Sequence, residues 1–212
     1  MMRHAVLLTA LLVGCASTPR TLGQSDVRMP ELRAEIARMV AADQEVQQEM
    51  LRRSSSGNEL GPMDFRRRDS VLAVNTTRLR AILDANGWPG NSLVGAEGSH
   101  GVWLLLQHAD EDVALQRSAL VLLEKAVNAR EASGSDLAYL TDRVRLAEGK
   151  LQVYGTQLQY DARGCASPKP SEYPAALDAR RAVAGLMPMA EYLLKTMTAL
   201  GRAAQCVAAG KD

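Results

Sequence analysis

The sequence lacks the signatures that most directly announce chemistry. It has no glycine-rich loop to cradle a phosphate, no Cys-x-x-Cys pair, and no serine, histidine and aspartate in a recognised hydrolase context. Those absences remove a nucleotide-binding P-loop, a thiol-exchange motif and a conventional serine nucleophile. An excess of one charge is missing too, because 25 Lys and Arg stand against 24 Asp and Glu. Arg66-Arg67-Arg68 is the tightest basic run, and at the start of an expected helix it reads as a solvated face. Without a concentrated basic surface to neutralise phosphates, nucleic acid is excluded as a partner. No segment repeats at a period of about 30 to 50 residues, which argues against a solenoid.

Histidine is also scarce, with only His4, His100 and His108. His100 and His108 are eight residues apart in the sequence. That spacing is ~12 Å along a continuous helix, so they share no ion unless the helix breaks. His108 and Asp112 have a usable i, i+4 spacing, but one imidazole among carboxylates is a weak ligand set. No cofactor and no metal are implied.

What the chain does have begins at its N-terminus. The apolar run from Ala5 to Val13 follows Arg3 and ends in Leu12-Val13-Gly14-Cys15, which resembles the lipobox of bacterial lipoproteins. The run is far shorter than the ~20 residues that span a bilayer and has the anatomy of a secretory signal. Residues 1–14 are therefore expected to be a removed signal peptide and Cys15 the lipidated N-terminus. Several acyl chains such as palmitate, each burying methylenes at ~0.8 kcal/mol, make a stable membrane anchor. Residues 15–29 read as a flexible tether, rich in Ser, Thr, Gly and Gln. Ala16 after the cysteine points to the periplasmic face of the outer membrane if the organism has two membranes. Loss of Arg3 with the signal leaves a mature chain with no formal net charge.

Once Cys15 carries lipid, Cys165 and Cys206 remain, an even pair in an oxidising compartment. They are expected to form a disulfide closing a loop of about 40 residues, worth ~4 kcal/mol in the chain-entropy treatment.

Hydrophobic periodicity makes the rest mainly α: one helical domain over residues 30–205, a bundle of six or seven helices, followed by a tail over 206–212. Leu32, Ile36, Met39, Val46 and Met50 recur at helical spacing and predict a helix over 30–53; Leu72, Leu79, Ile82 and Leu83 predict another over 64–86, stopped by Gly87 and Pro89. Ser99 is a plausible cap for the next helix. From Val102 to Val127 an unbroken 4,3 alternation runs through Gln116, and Asp110-Glu111-Asp112 favours two abutting helices over one. Val102 to Leu106 is apolar on every side, which predicts a central, buried position. Gly134-Ser135 is expected to cap a helix over 136–151. Residues 152–160 turn β-favouring and predict a short extended or hairpin segment. Residues 162–174 read as irregular, followed by helices over 175–184 and 188–201.

Four motifs then occur in order: Gly87-Trp88-Pro89, Gln107-His108-Ala109-Asp110, Ala138-Tyr139-Leu140-Thr141-Asp142-Arg143 and Gln152-Val153-Tyr154-Gly155-Thr156-Gln157. With Arg180-Arg181 and Gly185-Leu186, they resemble the bacterial domain-of-unknown-function family numbered 6624, from about Glu31 to Leu194. Val153 departs from that pattern, where the family carries a longer or charged residue. The resemblance implies no activity, so chemistry must come from the residues.

Three readings of the polar residues stand side by side. In the first, a pocket lined by His, Asp, Arg and Tyr binds a small polar or anionic ligand, with Gln107, Asp110, Gln116, Gln152, Tyr154, Thr156, Gln157 and Arg181 as contacts and Trp88, Trp103 and Tyr154 as apolar walls. In the second, His108 is a general acid or base of a hydrolase or group-transfer enzyme, held by Asp110 or Asp142, while Arg143 and Arg181 grip an anionic group and Tyr154 and Thr156 offer hydroxyls at the rim. In the third, the same residues form a satisfied polar network in a structural envelope protein. On a helical wheel Asp142 lies opposite the Leu137, Leu140, Val144 stripe. Only packing of residues 152–194 over that second face would bury it.

Overall fold

The structure is a computed structural model that describes residues 27–57 and 59–207. The expected signal peptide, Cys15 and most of the tether lie outside the described residues. Among those described there are eight helices and one two-stranded sheet, and no helix is long and apolar enough to cross a membrane.

Five helices make the bundle. Helix α1 (Pro30–Ser55) starts with Pro at its first position and Glu31 in its first turn, both suited to a helix N-terminus. Helix α2 (Pro62–Asn86) begins where the Asp64 carboxylate accepts the Gly61 N–H at 2.8 Å, and stops at Gly87. Helix α3 (Asn91–Gln107) starts eight residues before the expected Ser99 cap and is kinked at Gly95, where φ is 77°. That left-handed residue interrupts the periodicity, so the first turn was not legible as part of the helix. Ser99 instead sits buried inside α3, accepting the Trp88 indole N–H at 2.8 Å.

The long alternation divides at the acidic triplet into two helices. Residues 108–112 interrupt the helix, and the Asp112 side chain caps α4 (Val113–Asn128) by accepting the Leu115 N–H at 3.0 Å. Helix α5 (Gly134–Ala147) is capped by Ser133, not Gly134-Ser135, and is followed by Gly149 in the left-handed region, where φ is 72°. Leu151, expected on its stripe, is therefore off the helix and exposed.

The core is built from Ile36 of α1, Leu79 and Ile82 of α2, Val102 and Leu106 of α3, Leu123 of α4 and Leu140 of α5, all essentially inaccessible. Each such side chain contributes ~1.5–3 kcal/mol by leaving water. Helix α3 packs against α1, α2 and α5, which is why Val102 to Leu106 is apolar all round.

Residues beyond α5 fold over its outer face. Strand β1 (Leu158–Tyr160) pairs antiparallel with β2 (Ala166–Pro168), so the stretch 162–174, read as irregular, contributes the second arm of the hairpin. A 3₁₀ turn (Pro174–Ala176) leads to α6 (Leu177–Val183), then α7 (Met189–Ala199) and α8 (Ala203–Val207). Helix α8 occupies the boundary drawn between domain and tail. The Cys165–Cys206 disulfide ties it to the hairpin.

Candidate functional site

The residues singled out above separate into two polar networks, and the first lies at the corner between α3 and α4. Gln107, the last residue of α3, accepts the Arg143 Nε–H at 3.0 Å from α5. Arg143 donates through Nη1 to Asp110 at 2.6 Å, and the Gln116 amide of α4 donates to the Leu106 carbonyl at 2.9 Å and to Asp110 at 3.3 Å. Gln107, Gln116 and Arg143 are buried, whereas the Asp110 side chain is 48% exposed. Two atoms in this cluster are left over: the Nε2 of Gln107 and the Oε1 of Gln116 are buried and lack a hydrogen-bond partner among the described residues. Each unpaired buried group costs roughly 1 to 3 kcal/mol unless a bound molecule satisfies it.

His108 follows Gln107 at the C-terminus of α3. Neither Asp110 nor Asp142 orients it. Its Nδ1 lies 2.7 and 2.9 Å from the two carboxylate oxygens of Asp43, on α1, which is wholly buried. A carboxylate only accepts, so Nδ1 carries a proton, and in the neutral ring Nε2 is the acceptor. Asp110 is taken by Arg143, and Asp142 by backbone. Asp43 carried a signal in the sequence: it completes the stripe of Leu32, Ile36, Met39, Val46 and Met50 in 4,3 register, and an acid on an apolar stripe demands a partner.

The second network docks the C-terminal segment. Asp142 is fully buried, as the wheel allowed only if residues 152–194 packed over it. Its carboxylate accepts the N–H groups of Val153 (2.6 Å), Tyr154 (3.0 Å) and Thr156 (2.9 Å), and the Thr156 hydroxyl at 2.9 Å. Gly155 makes this nest, because φ is 65° there and a Cβ would fall 2.6 Å from the Met189 methyl. The Gln152 side chain serves backbone too, donating to the carbonyls of Gln157 (3.0 Å) and Lys169 (2.6 Å) and accepting the Gln157 N–H at 2.9 Å. Gln157 donates to the Thr156 hydroxyl at 3.2 Å. Thr156 thus points inward to Asp142 and does not stand at a rim with Tyr154.

Arg181 is expected from the sequence to hold an anion beside Arg143; the structure places it in the other network, with its guanidinium on backbone carbonyls. At 1% exposure it donates to the carbonyls of Met187 (2.7 Å) and Tyr154 (2.8 Å), with its guanidinium 5.0 Å from the Tyr192 ring centroid. Burial holds its pKa down, and burial pushes the Tyr139 and Tyr192 hydroxyls up. Tyr192 donates to the Thr156 carbonyl at 3.0 Å. Arg180 grips the same loop from outside, donating to the carbonyl of Val153 at 2.8 Å.

A third group was not anticipated. His100 lies with Nδ1 3.1 Å from both oxygens of the buried Asp136 carboxylate on α5. The bond to Asp136 raises the imidazole pKa above 6.5, and burial raises that of Asp136 above 3.8. The sequence offers little warning, since Asp136 reads as an ordinary first-turn acid. Asp112, weighed as a metal partner of His108, is the α4 cap and pairs with Arg80. Trp88 and Trp103 are buried, Trp88 reaching the edge of a cleft with Arg28 and Lys125.

Comparison with known proteins gives one match. The chain belongs to the family of unknown function DUF6624, whose family model matches residues 30–204. No curated protein and no solved structure matches it.

Proposed function

We propose that this member of the DUF6624 family is a lipid-anchored, extracytoplasmic protein whose helical domain binds a small polar or anionic ligand at the corner between α3 and α4. The reading rests on one observation: the unpaired Gln107 Nε2 and Gln116 Oε1 lie in the same network as a half-exposed Asp110. One is a donor and the other an acceptor, so the interior complements a group that does both, such as an amide or a hydroxyl, alone or beside a carboxylate that takes the Arg143 guanidinium. Asp110 pairs with Arg143, and an entering anion would displace it, keeping the buried guanidinium paired.

His108 supports a second reading at the same corner. Asp43 fixes its tautomer, which leaves Nε2 as the acceptor in an acid-base role on a bound ligand. Asp142, Gln152 and Arg181 fit the structural reading better, because their hydrogen bonds are spent on backbone.

Two measurements test the proposal. Mass spectrometry of the mature N-terminus should find acyl chains on Cys15, and Cys15→Ser should release the protein from membranes. Arg143→Lys should lose affinity for small carboxylates by about tenfold or more, since lysine lacks the fork that reaches Gln107 and the anion together. An unmodified Cys15 contradicts the anchor, and unchanged carboxylate affinity contradicts the site.

A further inference from the structure

His100 and Asp136 form a second imidazole–carboxylate pair, and this one opens to solvent. The His100 side chain is 53% exposed while Asp136 beneath it is 6% exposed. The ring is fixed on two sides: Nδ1 lies 3.1 Å from the carboxylate, and its face stacks on the Trp103 indole with centroids 4.7 Å apart and planes at 27°. An imidazole held by a carboxylate at one nitrogen and an aromatic face has a defined direction for the other nitrogen. Nε2 has no hydrogen bond among the described residues.

The pair lies on a cleft of about 270 Å³, lined also by Asn91, Ser99 and Ser133. That volume is just below the ~300 Å³ where drug-sized pockets begin, so the occupant is small. The lining sets its chemistry. Among the described residues no Lys or Arg lines it, and the one carboxylate is already bound to His100. Any positive charge on His100 is balanced by the Asp136 carboxylate bound to it, so neither an anion nor a cation finds an uncompensated partner. Hydroxyls and amides, which donate and accept equally, make up the other polar groups.

We propose that this cleft binds a neutral, hydroxyl-rich molecule of monosaccharide size, with a ligand hydroxyl hydrogen-bonded to His100 Nε2, donating to the neutral ring or accepting from the protonated one. The Asn91 amide, whose Nδ2 also reaches the Arg130 carbonyl at 3.4 Å, and the Ser133 hydroxyl, which caps α5 by accepting the Ser135 N–H at 3.2 Å, keep hydrogen-bonding capacity for further contacts. Asp136 is a positioning residue that fixes the direction of Nε2. Ser99 is held to Trp88 and contributes shape. The site is separate from the corner at Gln107 and stands whether or not that corner binds anything.

Calorimetry on the full-length protein tests it, using N-acetylglucosamine and methyl glucoside as neutral probes, and glucosamine and glucuronate as charged ones. A neutral sugar should bind saturably, with a Kd on the order of 1 mM, and should change the emission of Trp103 through its contact with His100. His100→Gln should weaken binding by about tenfold, the loss of one hydrogen bond, and Asp136→Asn by a similar factor through the lost orientation. Thermal unfolding of both variants separates this loss from misfolding. Failure of both neutral sugars to saturate, wild-type affinity in folded His100→Gln, or tighter binding of either charged analogue would each overturn the proposal.

Discussion

Asp43 reaches across the bundle to hold His108: a carboxylate with no exposure, in the middle of α1, binds Nδ1 of an imidazole at the end of α3 at 2.7 Å. The pair joins two helices through the core, and it removes the need for Asp110 or Asp142 to orient the ring. Truncating either partner leaves a buried polar group alone. Asp43→Ala and His108→Ala should each destabilise the fold by about 1 to 3 kcal/mol, and a double-mutant cycle should give a coupling of about 1 kcal/mol or more. Additive effects in urea unfolding would show that the two do not depend on each other.

Asp142 makes a different prediction, because what it holds is backbone. Asp142→Asn keeps the shape but replaces an acceptor oxygen with an N–H₂ that opposes the N–H groups of Val153, Tyr154 and Thr156. Bonds to a charged acceptor contribute about 1.5 to 3 kcal/mol, so the variant should lose at least about 2 kcal/mol of stability. Amide exchange should rise first in residues 152–157, ahead of α1 and α2. Uniform exchange with unchanged stability would argue that the loop is held by other contacts.

The same two residues mark how far the sequence could be read. Helices α1, α2 and α4 follow from periodicity, and the division at Asp110-Glu111-Asp112 from the affinity of carboxylates for a helix N-terminus. The kinked start of α3 was hidden because Gly95 resets the phase. Asp142 looked exposed on the wheel, since a wheel knows one neighbouring face and α5 has two. Asp43 was legible as an acid on an apolar stripe, but its partner was not, because 65 residues separate it from His108 and spacing rules do not act at that range. The second strand escaped for a related reason, as Ala166-Ser167-Pro168 becomes a strand only by pairing with β1.

His100 and Asp136 predict a dependence on pH. Both pKa values are raised in the folded state, His100 chiefly by its bond to Asp136 and Asp136 by burial. The native chain therefore binds more protons than the unfolded one. The His100 contribution is complete below 6.5, its unfolded value, and is lost as pH rises through the higher folded value. Asp136 acts with the same sign, contributing most below 3.8 and less as pH rises. Urea unfolding from about pH 6 to 9 should show wild type losing more stability with rising pH than His100→Gln does. Parallel pH profiles would contradict the linkage, as would an imidazole titrating below 6.5 in NMR.

The Cys165–Cys206 disulfide spans 41 residues and fastens α8 to the hairpin. Reduction should lower stability by about 4 kcal/mol if the unfolded chain gains the freedom that loop closure removes. A thiol assay on the unfolded, unreduced protein should find neither sulfur free. Two reactive thiols, or unfolding that ignores reductant, would refute the bridge.

Whether the corner between α3 and α4 receives a ligand decides the proposed function. The most direct measurement follows the side-chain amides of Gln107 and Gln116 by ¹H–¹⁵N NMR during titration with acetate, acetamide and phosphate. The prediction is a saturable shift of both amides with at least one probe, accompanied by the His108 ring and moved to about tenfold higher probe concentration or more in Arg143→Lys. Amides that stay fixed with all three probes, in a protein whose Arg143 remains locked to Asp110, would contradict it.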